Sequence, residues 1–139
     1  MKRVDVVYSL IYDEKTDKVL MVHNTKYDNW SMPGGVVEEG ETLMEAAIRE
    51  AREETGLTIE VQNLVSVNEV FMKENGHHAV FITFKARILS GEISIQDTDT
   101  ISDVQWMDIR TANEWMPYHS KGIDLFLENS VPYVFQGTV

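Results

Sequence analysis

The chain contains no cysteine, which excludes disulfides, thiolate metal sites and a cysteine nucleophile together and leaves the redox compartment open. Basic residues are scarce, 12 Lys and Arg against 23 Asp and Glu, for a formal charge of -11. Nucleic acids and anionic membranes are bound through basic patches that neutralise phosphate charge, so neither a nucleic-acid polymer nor a membrane is expected as a partner. A phosphorylated ligand on so acidic a protein calls for another source of positive charge, and a bound divalent cation supplies it. Missing too are a long apolar signal region and any stretch able to span a bilayer, so a soluble, cytoplasmic protein is expected. There is no repeat, low-complexity tract or Pro/Gly/Ser-rich linker to divide the chain. Residues 1–139, 43% hydrophobic, therefore read as one domain with a core of its own.

What is present alternates between strand-like and helix-like patterns. Val4 to Tyr12 and Lys18 to His23 are rich in β-branched and aromatic residues around the polar turn Asp13 to Asp17, which predicts a hairpin. Asn24 to Trp30 is polar and lacks an apolar period. In Ser31-Met32-Pro33-Gly34-Gly35 the paired glycines let backbone approach a ligand or metal closely. From Thr42 to Thr55, Met44, Ala47, Ile48 and Ala51 recur at helical spacing. Thr42 with Glu45 forms a capping box, and Gly56 stops the helix. Thr58 to Phe71 and His78 to Leu89 predict a second strand pair around Lys73-Glu74-Asn75-Gly76, Val104 to Asp108 a short strand, and Gly122 to Glu128 a final helix. Strands on both sides of an internal helix, with another helix at the end, give an α/β chain in which helices enclose a mixed sheet.

The chemistry concentrates in the internal helix. Glu50, Glu53 and Glu54 fall on one face, where like charges repel by roughly a few tenths of a kcal/mol per pair on a solvated helix. A divalent cation removes that cost, and carboxylate oxygens suit Mg²⁺ or Mn²⁺. The bland alternative is the solvated face of an amphipathic helix. The neighbours decide against it: Gly35, Glu41 after five residues, Arg49-Glu50 after seven, then Glu53-Glu54, Gly56 and Leu57 spell G-x5-E-x7-R-E-U-x-E-E-x-G-U. Seven identities at fixed spacing arise by chance in roughly one window per hundred million. This segment resembles the defining box of the Nudix hydrolase family (MutT-like). Trp30 to Gly35 is similar to the family's approach to the box, and Val104-Gln105-Trp106 to its late strand. Ala51 departs from the larger aliphatic usual there; it is apolar and a strong helix former, so altered packing around an intact site is expected.

The resemblance implies an α/β/α sandwich around a mixed β-sheet, with the box as a loop–helix–loop, and a Mg²⁺- or Mn²⁺-dependent pyrophosphohydrolase. Its substrate is a (deoxy)nucleoside triphosphate or another small nucleotide derivative. It implies Glu50 and Glu54 as principal metal ligands, Glu53 as a further ligand or the general base, and the Gly34 carbonyl as an added oxygen ligand. Arg49 is then the partner of Glu41 or Glu53 that holds the acids in register. The family's base comes from the box or a later loop. The loop here is Gln96 to Asp103, with Thr100 where a glutamate is frequent, and the order of candidates is Glu53, then Asp99 and Asp97.

Tyr27 and Trp30 beside the box, and Tyr118-His119 in the segment Trp115 to His119, are the candidate substrate-binding residues; for the last segment a hydrophobic loop closing the sandwich is the stronger reading. His77-His78 point to opposite faces of a strand and do not form a metal pair. Trp106 reads as a core residue. Val131 to Phe135 is apolar enough to pack on the sheet or on a second subunit, so a homodimer is a further expectation. No proline or tyrosine stands at Lys73 or Glu74, where relatives specialised for other conjugates carry extra marks. A non-catalytic nucleotide-binding regulatory domain is the competing function, and intact Arg49, Glu50, Glu53 and Glu54 speak against it.

Overall fold

A computed structural model describes all 139 residues. Strand β1 (Lys2–Asp13) runs parallel to β6 (His77–Ser90) over Lys2–Ile11, and β6 pairs antiparallel with β5 (Thr58–Met72). On its other edge β1 pairs first with the short β4 (Gly34–Val36) and, at Tyr12 and Asp13, with β2 (Lys18–Asn24). Strand β2 continues between β3 (Asn29–Ser31) and β7 (Ile101–Asp108). The expected hairpin thus splits: β1 and β2 part after two residue pairs, and the glycine-bearing strand β4 takes the vacated edge of β1. Two backbone bonds anchor that loop, Ser9 N to Pro33 O at 2.9 Å and Val37 N to Asp5 O at 2.9 Å.

Helix α1 (Leu43–Thr55) packs on one side of the sheet. Its N-terminus is closed as the sequence predicts, with Glu45 N donating to Thr42 Oγ1 at 3.1 Å and Thr42 N to Glu45 Oε1 at 3.0 Å. Gly56 ends it at φ 77, the left-handed geometry that favours glycine. Ala46, Ala47 and Ala51 are buried against Val7, Phe84, Ile11 and Ile59. Met44, read as part of the apolar face, is instead exposed; the three alanines let the helix lie close enough for the sheet to be covered without it.

The opposite side is covered by α2 (Ile109–Trp115), which the periodicity did not reveal, and α3 (Asp124–Glu128), shorter than the predicted final helix. Ala112, Met116, Ile123 and Phe126 bury Leu10, Met21 and Met32 there. The result is a mixed sheet between helical layers. Val131 bridges Leu64 on β5 and Tyr133 meets Phe84 edge-on at 5.1 Å, so the tail packs on the sheet as expected up to that point; Val134 and Phe135 are exposed. Trp106 is only half-buried, on the rim of the α1-side core. No helix is long and apolar enough to cross a membrane.

Candidate active site

Helix α1 presents its acids toward the loop that carries Gly34 and Gly35. Arg49 lies at their centre. Its Nε donates to Glu41 at 2.6 Å and one terminal nitrogen to the other Glu41 oxygen at 2.9 Å, a bidentate pair. Its second terminal nitrogen reaches Glu50 at 2.9 Å and Glu53 at 3.3 Å, with Glu38 at 3.7 Å. Arg49 therefore pairs with both expected acids at once, and with Glu50 besides. One guanidinium faces four carboxylates, so the cluster keeps a large negative excess.

Glu54 has no cationic partner. It is buried, and its Oε1 accepts the Gly34 N–H at 2.9 Å. Burial pushes its carboxyl up to about 8, and the fields of Glu50, Asp97 and Glu53 add to that against the pull of the Gly34 amide. Burial also raises Glu50, outweighing the Arg49 hydrogen bond, whereas the hydrogen bond from Arg49 lowers Glu41. The arginine, bonded to Glu41 and Glu50, is held charged. No three acids converge as a ready metal cluster: Arg49 draws Glu50 and Glu53 to one side while Gly34 holds Glu54 on the other. Their chemistry still suits a hard divalent cation, since all the donors are oxygens, and buried Glu54 and half-buried Glu50 meet too little positive charge. The glycine at 35 is a steric requirement of this arrangement, because a Cβ there would lie 2.6 Å from the Glu50 carboxylate.

The late loop is tied to the end of α1. Gln96 N and Asp97 N both donate to the Glu53 carbonyl, at 3.0 and 2.9 Å, and Ser94 N donates to Thr55 O at 2.8 Å. These bonds satisfy carbonyls that a helix end leaves free. They also bring Asp97, half-buried, within electrostatic reach of Glu54, while Asp99 is exposed and exerts no comparable influence. Of the two loop aspartates, Asp97 is the one whose own backbone N–H is anchored on the helix carbonyl.

Beside the acids opens a pocket of about 540 Å³ that includes Tyr8, Tyr27, Tyr118 and His119. Tyr8 joins it to the box: a Cβ on Gly34 would meet the Tyr8 ring at 2.5 Å, and burial, then the fields of Tyr118, Glu54 and Glu50, hold the Tyr8 hydroxyl protonated. Three of the four expected substrate-binding residues thus share one cavity. Trp30 does not line it; it packs on the core and edge-on against His23 at 5.2 Å, and flanks a separate shallow depression with Trp106 and Trp115. The segment Trp115 to His119 has both readings at once, with Met116 buried in the core and Tyr118-His119 on the pocket wall. His78 bonds Glu69 at 2.8 Å and is no part of a metal pair. Tyr8, Asn29, Asn68 and Phe81 of the pocket escaped the sequence reading, since only strand register brings them together.

The NUDIX domain profile matches residues 2–126. An ADP-ribose pyrophosphatase of Methanocaldococcus jannaschii is 36% identical over 87 residues, 60% of this chain and 52% of that protein. The human 8-oxo-dGDP phosphatase NUDT18 is 36% identical over 93 residues, 65% of this chain and 27% of that protein. The chain thus spans about half or less of the length of these relatives. Among solved structures, a NUDIX hydrolase from Nitrosomonas europaea superposes with a TM-score of 0.79 at 21% identity, covering 96% of this chain and 98% of its own; this likeness concerns the fold. A match that runs through all seven strands and the whole of α1 leads to one conclusion: this chain belongs to the Nudix hydrolase family.

Proposed function

We propose that the protein is a divalent-metal-dependent pyrophosphohydrolase that cleaves a phosphoanhydride bond of a (deoxy)nucleoside triphosphate or similar small nucleotide with water. The observation that carries this reading is the uncompensated acidic cluster beside an open pocket, Glu54 buried without a cation and Glu50 only half-neutralised by Arg49. Glu50, Glu54 and Glu53, with the Gly34 carbonyl, would hold Mg²⁺ or Mn²⁺. When bound, the cation supplies charge neutralisation of the phosphates and a more acidic water.

The chain's own groups do the rest. Arg49, gripped by Glu41, fixes where Glu50 and Glu53 sit, which spares the site reorganisation at the moment of reaction. Glu53 is the more solvent-accessible acid and takes the proton of the attacking water; Asp97 is its competitor from the late loop. Tyr8, Tyr27, Tyr118 and His119 enclose the nucleoside end and place the diphosphate against the box. The intact acids weigh against a non-catalytic binding domain.

A hydrolysis screen across nucleotide classes with Mg²⁺ and Mn²⁺ in ¹⁸O-water tests the proposal. Label should enter a phosphate product, with a nucleoside monophosphate formed from a triphosphate. Absence of turnover on every class, or label in a carbon-bound hydroxyl, overturns it.

A further inference from the structure

Tyr27 reaches the pocket from a four-residue turn, residues 25–28, that joins β2 to β3 and packs little surface of its own. The tyrosine is exposed, and Asp28 sits at φ 47, a left-handed conformation that costs most side chains free energy and is tolerated by Asp and Asn. Two contacts from outside the turn hold it. Thr25 N donates to Thr100 O of the late loop at 2.9 Å, and at the other end the Asp28 carboxylate lies 2.8 Å from His23 Nε2.

His23 is engaged on its second nitrogen as well. Nδ1 is 2.5 Å from Ser102 Oγ, and the ring stands edge-on to Trp30 at 5.2 Å. Ser102 is available because of a bulge: His23 pairs with Asp103 and Asn24 with Ile101, so Ser102 has no counterpart across the ladder and its hydroxyl meets His23 instead. A carboxylate only accepts, so Nε2 donates to Asp28, while the Ser102 hydroxyl can donate to Nδ1 or accept from it. The bonds continue to the acidic helix. Ile101 N donates to Asp97 O at 3.0 Å, and Asp97 N to the Glu53 carbonyl at 2.9 Å. Through Asp97, the start of β7, His23 and Asp28, the end of α1 is thus joined to the turn that carries Tyr27. A ligand spanning pocket and acids meets both at a fixed separation.

We infer that His23 is a positioning residue, which by tying Asp28 to Ser102 holds the Tyr27 wall of the pocket in register with the acidic helix. His23 does not itself line the pocket and acts through Asp28 and its neighbour Tyr27. The inference rests on the pyrophosphohydrolase reading and adds to it what keeps the nucleoside end aligned with the acids. Without the bond a substrate must order the turn as it binds, so the cost falls on KM rather than on kcat. The competing role is packing against Trp30 alone, which a ring without nitrogens would serve equally.

The test therefore uses His23→Phe, which keeps a ring against Trp30 and loses both bonds, and Asp28→Gly, which suits a positive φ and loses the carboxylate. Steady-state kinetics with Mg²⁺ are measured on whichever of ATP, GTP, CTP and UTP is hydrolysed fastest, or on the fastest class of the wider screen. Each single variant should raise KM about fivefold and leave kcat within about twofold of wild type. The double variant should be no worse than the singles, since both remove the same bond, and any effect of glycine on the backbone cancels in that cycle. His23→Gln, able to donate and accept, should recover most of the loss. Amide hydrogen exchange at residues 25–29 should quicken in His23→Phe while the amides of α1 keep their rates. Unchanged KM and exchange in both variants overturn the inference, as do a loss confined to kcat and effects that simply add in the double variant. Should His23→Phe fail to fold, Asp28→Gly decides alone, because that side chain is exposed and an unchanged KM there removes the tie from substrate binding. A wild-type protein that hydrolyses no nucleotide sinks the underlying function and the role toward substrate with it, while the exchange rates still show whether His23 holds the turn.

Discussion

The acidic helix and the pocket meet at Tyr8, yet they are assembled in opposite ways. Arg49, Glu50, Glu53 and Glu54 come from six consecutive residues, placed by the helix repeat and by a capping box that fixes where the helix starts. The pocket draws on β1, β3, β5, β6 and the segment after α2. The charged cluster is set by spacing along one helix, while the pocket depends on the register of several strands.

The largest effects should follow from breaking the charged side. Glu54→Gln and Glu50→Gln each remove a carboxylate offered to the cation, so turnover should fall by roughly a hundredfold or more and the Mg²⁺ concentration for half-activity should rise. Excess chelator should abolish activity, and Mg²⁺ or Mn²⁺ should restore it. Titrating metal in steady-state assays checks both; near-wild-type turnover in both variants would remove the acids from the site.

A comparable but separable loss is expected when the proton acceptor is removed. Glu53→Gln should lower kcat by about a hundredfold to ten-thousandfold, the usual range for a general base. Asp97→Asn should cost less than Glu53→Gln and more than Asp99→Asn, since Asp97 is half-buried and bonded through its backbone to the end of α1, whereas Asp99 is exposed. The reverse order for Glu53 and Asp97 in kcat profiles would transfer the base to the loop.

Stability should sharpen the contrast in a smaller way. An acid whose folded pKa lies above its ordinary value of 4.5 favours the folded state when protonated. For Glu54 the metal-free protein should therefore lose stability as pH rises from about 4.5 to about 8, by on the order of a few kcal/mol, and change little beyond. Melting curves across that window should show the decline, and Glu54→Gln or saturating Mg²⁺ should flatten it. A slope unchanged by either would mean that other groups dominate.

The smallest effect concerns Trp30, which the pocket excludes. Trp30→Phe should change kcat/KM by less than about threefold while lowering the melting temperature slightly through lost packing on the His23 side. A large KM change for nucleotide would return Trp30 to the binding surface.

The box was legible because its spacing is local. Three- and four-residue separations on one capped helix determine that Arg49, Glu50, Glu53 and Glu54 are neighbours, so Arg49 and these acids could be placed before any fold was known. Helix α2 was not legible: Ala112 is its one buried residue, with Met116 following at the cap, too few to create a period in seven residues. Met44 was misjudged because helical spacing defines an apolar stripe but not how far the sheet reaches along it.

The sequence by itself determined the acidic character, the helix with its cap and stop, the family resemblance and the cluster around Arg49, since each depends on composition or on residues within one or two turns. Tertiary structure alone decided that the backbone of Asp97 is tied to the end of α1, that Trp30 turns from the pocket, and that Asn29 and Asn68 line one cavity. Those outcomes hang on strand register and on which backbone groups close the end of α1. A shift of one residue in register sends a side chain to the opposite face of the sheet, and no local spacing records that choice.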